Sequence, residues 1–218
     1  MQNDDHIRWF SDVRLRDVPL VGGKNASLGE LYSTLSNVGV RVPNGFALTA
    51  EAYRDALTSA KAWQPLHNLL DSLDKRRMDV LARRAAEARE IVYRATDIPQ
   101  VREEINRAYR QLEKEYGGNV AVAVRSSATA EDLPSASFAG QHESFLNVSG
   151  VDALFEACRR CFASIFTDRA ISYRIDRGFD HFKVALSVGV MKMVHADLAA
   201  SGVMLPWTPS PVSATSCS

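Results

Sequence analysis

The chain has 218 residues, 46% of them hydrophobic and 24% charged, with 26 basic residues balancing 26 acidic ones. A domain of this size buries roughly 70% of its unfolded surface, so neither a metal nor a disulfide staple is needed to hold it together. The charge balance, near even in both halves, excludes the basic excess that nucleic acid or an anionic membrane demands, and any anion site must be local.

The opening MQNDDHIRWF is acidic and polar, unlike a signal peptide, and no run of 18 uncharged apolar residues suggests a membrane span. Cys158, Cys161 and Cys217 form an odd set in a chain without an export signal, which points to reduced thiols and a cytoplasmic protein. Residues 1–20 read as a polar lead-in anchored by Trp9 and Phe10. A helix is expected to open at VGGK (21–24), to carry Leu28, Leu31, Leu35 and Val38, and to close at Gly39. RVPNGFALT (41–49) reads as a turn and short strand, and Thr49 caps a helix over AEAYRDAL. From about 64 to 116 apolar residues recur at threes and fours, which predicts successive helices stopped by Gly117 and Gly118.

The character then changes. NVAVAV (119–124) is a continuous apolar run ending at Arg125, which predicts a strand buried on both faces. A stretch almost free of large side chains follows, and ESFLNV (143–148) then alternates as a strand. VDALFEACRRCFASIF (151–166) predicts a helix, and VALSVGVMKMV (184–194) and SGVML (201–205) predict two more strands. With its partners in a separate lobe, the 184–194 strand would be an exposed edge. Helices first, then strands mixed with helices, predict an α+β fold. It divides into a mainly helical part over 1–116, a strand-rich part over 117–204, and an uncharged, Pro- and Ser-rich tail over 205–218 that is expected to be disordered.

Few residues carry chemistry. Lys24 sits at the start of a helix, where the dipole disfavours a cation by up to ~1 kcal/mol. It is either a solvated lysine or, with Gly22 and Gly23, the receiver of an anion that also meets the helix end. The stretch does not satisfy the Walker A pattern. Arg125 ends an apolar strand, where it either pairs with a carboxylate of the fold or faces a ligand. Ser126, Ser127 and Thr129 offer hydroxyls beside it, and Phe138-Ala139-Gly140-Gln141 completes what reads as a phosphate-cradling turn or, alternatively, a plain surface loop. Cys158 and Cys161 are spaced C-x-x-C but fall on the inner face of a helical pattern, so core packing is expected. The five histidines are scattered, His142 lies beside the loop, and Glu131-Asp132 reads as a solvated surface and not a magnesium site.

Five segments together carry a resemblance. VGGKNASLGEL (21–31), VPNGFALTAEAYRDAL (42–57), VAVRSSATAEDLPSASFAGQHESFLNV (122–148), FTDRAISYRI (166–175) and VMKMVHADLAASGVM (190–204) resemble, in order, the phosphoenolpyruvate synthase family. The RSSATAED…SFAGQ segment is shared with pyruvate phosphate dikinases and rifampicin phosphotransferases, the latter being the alternative, while HADLAASGVM favours the synthases. The resemblance implies the first lobe of an ATP-grasp domain. Its ATP gives up the β-phosphoryl group to a histidine on a separate domain, from which pyruvate receives it, with phosphoenolpyruvate, AMP and phosphate as products. It also implies that Lys24 and Arg125 contact phosphate, that Ser126 belongs to the same motif, and that Gly140 and Ser144 lie on the loop and strand closing over the nucleotide. Met191 falls where relatives often place a glutamine near the adenine.

The same resemblance places the magnesium-binding carboxylates, the phosphohistidine domain and the pyruvate-binding part beyond residue 205. The chain is therefore expected to be incomplete for the whole reaction, and a nucleotide-binding module without turnover is the reading of a different class. The tail LPWTPSPVS departs from a family pattern resembling DTESGF. Pro206-Trp207-Thr208-Pro209 must be encoded CCN-TGG-ACN-CCN, and a shifted frame of that stretch reads through a forced Asp codon, GAC. Residues from about 205 onward are thus expected to be a frameshifted reading of a synthase gene.

Overall fold

The computed structural model describes residues 6–71, 73, 77–129, 143–195, 198, 200 and 202. Among the described residues five strands form one antiparallel sheet: β1 (Ile7–Trp9), β2 (Gly45–Leu48), β3 (Val122–Ala128), β4 (Ser144–Val148) and β5 (Leu186–Lys192). Their order is β1-β2-β5-β3-β4. The α+β expectation holds, with a sheet that draws strands from both the 1–116 and the 117–204 parts.

Among the described residues seven α-helices flank the sheet: α1 (Val18–Leu35), α2 (Ala50–Ser59), α3 (Trp63–Leu70), α4 (Met78–Ala95), α5 (Pro99–Tyr116), α6 (Val151–Ala163) and α7 (Asp168–Arg177). Alternation along the strands divides their side chains between two layers. Ile7, Phe46, Leu48, Val122, Val124, Leu186, Val188 and Val190 join the large core beneath α2–α6. On the opposite face Ala47 packs with Phe10, Val13, Val21 and Ala26 under α1.

Local chemistry accounts for the helix ends. The Thr49 hydroxyl accepts from Ala52 N at 3.3 Å to start α2, and the Thr167 hydroxyl accepts from Ala170 N at 3.2 Å to start α7. α5 buries Val101, Ile105, Ala108 and Leu112 at helical spacing, and its Tyr109 hydroxyl donates to Val120 O at 2.8 Å while accepting from Gly150 N at 2.9 Å. That tyrosine fixes both the entry to β3 and the entry to α6. Cys158 and Cys161 lie in the core on α6, as expected, and burial pushes both thiols upward in pKa, which keeps them protonated.

Three expectations change. The polar lead-in contains an edge strand, β1, because pairing with β2 supplies ladder bonds that its three residues cannot advertise by pattern. β3 does not end at Arg125 but continues through Ser126 and Ser127 to Ala128, with every residue except Arg125 buried. β5 is not an edge: β2 and β3 pair with its two sides and complete the ladder. The 201–205 strand, residue 202 apart, and the whole 205–218 tail lie outside the described residues. No helix among the described residues is long and apolar enough to cross a membrane.

Candidate functional site

Gly22 breaks α1. Its φ of 74° and ψ of 164° are non-helical, and the chain re-enters a helix at Gly23, so Lys24 stands in the first turn of the second segment. First-turn N–H groups lack acceptors within their own helix. One of them, Asn25 N, donates to Ser127 Oγ at 3.3 Å. The break is enforced by contact as well as by dihedral, since a Cβ at Gly22 would collide with Ser127.

Arg125 lies in the middle of β3, opposite Gly189 of β5 on one side and Ser144 of β4 on the other. Directly opposed residues share a face, so Arg125, Gly189 and Ser144 point to the α1 side. Ala123 opposes Met191 in the same register, which puts Met191 on that side too. There α1 packs mainly on β3 and β5 and only lightly on β2. Beyond it Arg125 and Ser144 are exposed, as are Leu146 and Asn147, while Met191 is half-buried at the margin. Asn147 has a positive φ of 56° at the point where the β3–β4 register shifts, a bulge that turns the end of β4.

Three of the expected residues, Arg125, Ser144 and Met191, thus share one face, and Lys24 stands in the helix start that Asn25 N ties to Ser127 of the same strand. Arg125 is the informative one. It is exposed in a strand otherwise buried, and among the described residues it has no ion-pair or side-chain hydrogen-bond partner. The carboxylate partner weighed from the sequence is not found there.

The small hydroxyl residues behave differently from the expectation. Ser126 alternates to the opposite face, is 5% exposed, and its Oγ donates to Glu143 O at 3.4 Å. Ser127 is buried against α1, and Thr129 forms hydrogen bonds to Ala185 through both its backbone N and its hydroxyl. Ser126 and Ser127 extend the sheet instead of lining a turn, and Thr129 follows it as a turn residue held to Ala185. Gly140, His142, Glu131-Asp132 and the Phe138–Gln141 stretch lie outside the described residues.

A second concavity of about 690 Å³ opens at the foot of β5, lined among others by Tyr32, Arg41, Glu115, Tyr116, Lys192 and Val194. Asn44 N donates to the Tyr116 hydroxyl at 2.9 Å, and burial pushes that phenol up to about 12. None of the expected residues lines this cleft. Among the described residues no group of three or more His, Cys, Asp or Glu is placed to hold a metal ion.

The sequence missed Asn25, Ser187 and Gly189, which with Ser127 seat α1 on the sheet. A signal was present: Ser187, Gly189 and Met191 recur at period two in β5, so two small residues share the face on which another backbone comes close.

The family described as pyruvate phosphate dikinase, AMP/ATP-binding domain, matches residues 18–215, a span that includes most of the 205–218 tail. The phosphoenolpyruvate synthase of Synechocystis is 54% identical over 204 residues, covering 91% of this chain and 25% of the relative. Those of Helicobacter pylori and Escherichia coli are each 50% identical, over 200 and 198 residues, with the same coverage. The chain therefore spans about a quarter of the length of the curated relatives it matches.

Proposed function

This chain belongs to the pyruvate phosphate dikinase AMP/ATP-binding domain family, and on that premise we propose that it is the ATP-binding part of a phosphoenolpyruvate synthase. In this reading it is the first lobe of an ATP-grasp domain acting in the cytoplasm. The observation that carries the proposal is the exposed Arg125, partnerless among the described residues, on a sheet face bordered by Lys24 at a helix start.

Two cations and a helix end converge where a polyphosphate can lie along the face. A charge-assisted hydrogen bond contributes about 1.5–3 kcal/mol. Lys24 and Arg125 hold phosphate oxygens, and the first-turn N–H groups of the helix add to the field they see. Ser144 supplies a hydroxyl beside Arg125, and Met191 gives the base an apolar wall. A glutamine at that position would add a hydrogen bond to adenine that methionine does not. Ser126, on the far face, supports the strand and makes no phosphate contact through its hydroxyl.

Phosphoryl transfer needs mainly positioning and charge neutralisation. The reaction served is conversion of pyruvate, ATP and water to phosphoenolpyruvate, AMP and phosphate, through a phosphohistidine on another domain. Mg²⁺, which the resemblance implies, finds no carboxylate set among the described residues, and no step assigned to this chain passes through it.

Calorimetry of ATP with the purified chain tests the proposal. Lys24→Ala and Arg125→Ala are each expected to weaken binding about tenfold or more. Wild-type affinity in both variants would remove the site from this face.

A further inference from the structure

Asn25 was not among the residues expected to touch phosphate, yet it is tied directly to two strands and through Ser187 to a third. It is 2% exposed. Its Nδ2 donates to Ser187 Oγ on β5 at 3.0 Å, and that hydroxyl donates onward to Leu48 O on β2 at 2.6 Å. Its backbone N donates to Ser127 Oγ on β3 at 3.3 Å. Its Oδ1 lies where a Cβ of Gly189 would stand, so only glycine admits the carboxamide.

Each anchor is a neighbour of the proposed phosphate contacts. Asn25 follows Lys24 directly in the chain. Gly189 faces Arg125 across the ladder, and Ser127 lies two residues beyond Arg125 on the same face of β3. Because the Ser187 proton is committed to Leu48, Ser187 can only accept from Asn25. The geometry therefore requires a donor at this position as well as a polar atom of the right size. Core packing alone would be met by an apolar residue and an apolar partner; this arrangement instead fixes one helix end against two strands.

We propose that Asn25 is a positioning residue of the nucleotide site: through Ser127, Ser187 and the gap at Gly189 it locks the Lys24-bearing helix end in register with Arg125, so that both cations meet one polyphosphate. The proposal depends on the ATP reading above. Small displacements of positioned charges have large effects on binding and transfer, so the role shows in phosphate contacts and not in contacts to the base.

The test compares affinities for ATP and for adenosine in the full chain carrying Asn25→Ala, Ser187→Ala or both, with Lys24→Ala alongside, at a temperature where thermal melting shows every variant folded. Ser187→Ala serves if Asn25→Ala does not fold, because it removes the side-chain acceptor of Asn25, together with the bond to Leu48 O, and leaves the carboxamide in place. The expected result is about tenfold weaker ATP binding in each single variant and under twofold change for adenosine. The double variant should be no weaker than Asn25→Ala alone, since both remove the same bond. Equal losses for ATP and adenosine would reduce Asn25 to a general packing role and overturn the proposal. An unchanged ATP-to-adenosine ratio in Asn25→Ala, with a lowered one in Lys24→Ala, would overturn the proposal while leaving the site in place. An unchanged ratio in Lys24→Ala would overturn the ATP reading and the proposal with it.

Discussion

Arg125 stands directly across the ladder from Gly189, so the one exposed charge of β3 faces the one residue of β5 that has no side chain. The gap is filled from outside the sheet, by the carboxamide of Asn25. A helix start, a strand arginine and a close backbone approach are thereby joined in one place. Each of the three can be varied separately.

Gly189→Ala places a methyl group where Asn25 Oδ1 sits, and neither the sheet nor α1 can yield cheaply. A stability loss of about 1–3 kcal/mol is expected, in the range of overpacked cores. Gly118→Ala, where an added Cβ meets nothing within 4 Å, is the control and should stay within about 0.5 kcal/mol of wild type. Urea denaturation midpoints compare the two, and equal midpoints would contradict the packing described.

Arg125→Ala should leave stability almost unchanged. The side chain is exposed and has no partner among the described residues, and such substitutions fall within about ±0.5 kcal/mol. A loss of 2 kcal/mol or more in thermal or urea unfolding would show that the arginine is a structural member of the fold.

Acid should weaken the packing of α7. Arg174, fully buried, donates from Nε to His181 Nδ1 at 3.0 Å and from Nη2 to Ile165 O at 2.6 Å. His181 therefore accepts with a neutral ring. Burial, and then the charge of Arg174, push its pKa down to about 4, with Asp180 and Asp71 opposing. An unfolded histidine titrates near 6.5. With the folded pKa depressed, this contribution is complete above about pH 6.5 and is lost as pH falls from there through about 4. The ring is only partly buried, so after solvent screening the loss is about 1–2 kcal/mol. Urea unfolding at pH 7.5 and pH 4.5 should show a drop that is smaller in His181→Gln by that amount. An equal drop in both proteins would assign the acid sensitivity to other groups.

The helices were legible because burial on one face leaves a period in the sequence, as at Val101, Ile105, Ala108 and Leu112. Thr49 before its helix was legible for a local reason, a hydroxyl that caps its own chain. β1 was not, since three residues at a sheet edge take their structure from β2, about forty positions away. Ser126 and Ser127 looked like loop because small hydroxyl residues favour turns. In the fold they are buried strand residues whose polar atoms are satisfied across the chain, and that pairing cannot be seen locally. Of the site, Lys24 and Arg125 stood out as charges in awkward places. Their common face became visible only once the ladder set the register of Arg125 against Ser144 and Gly189.

The most direct test is to map where ATP touches the isotope-labelled chain by amide and methyl chemical shifts. Perturbations are expected at Gly23, Lys24, Arg125, Ser144 and Met191, on the open face beside α1, and should vanish in Arg125→Ala. Perturbations confined instead to Tyr32, Arg41, Tyr116 and Val194, in the cleft at the foot of β5, would contradict the account.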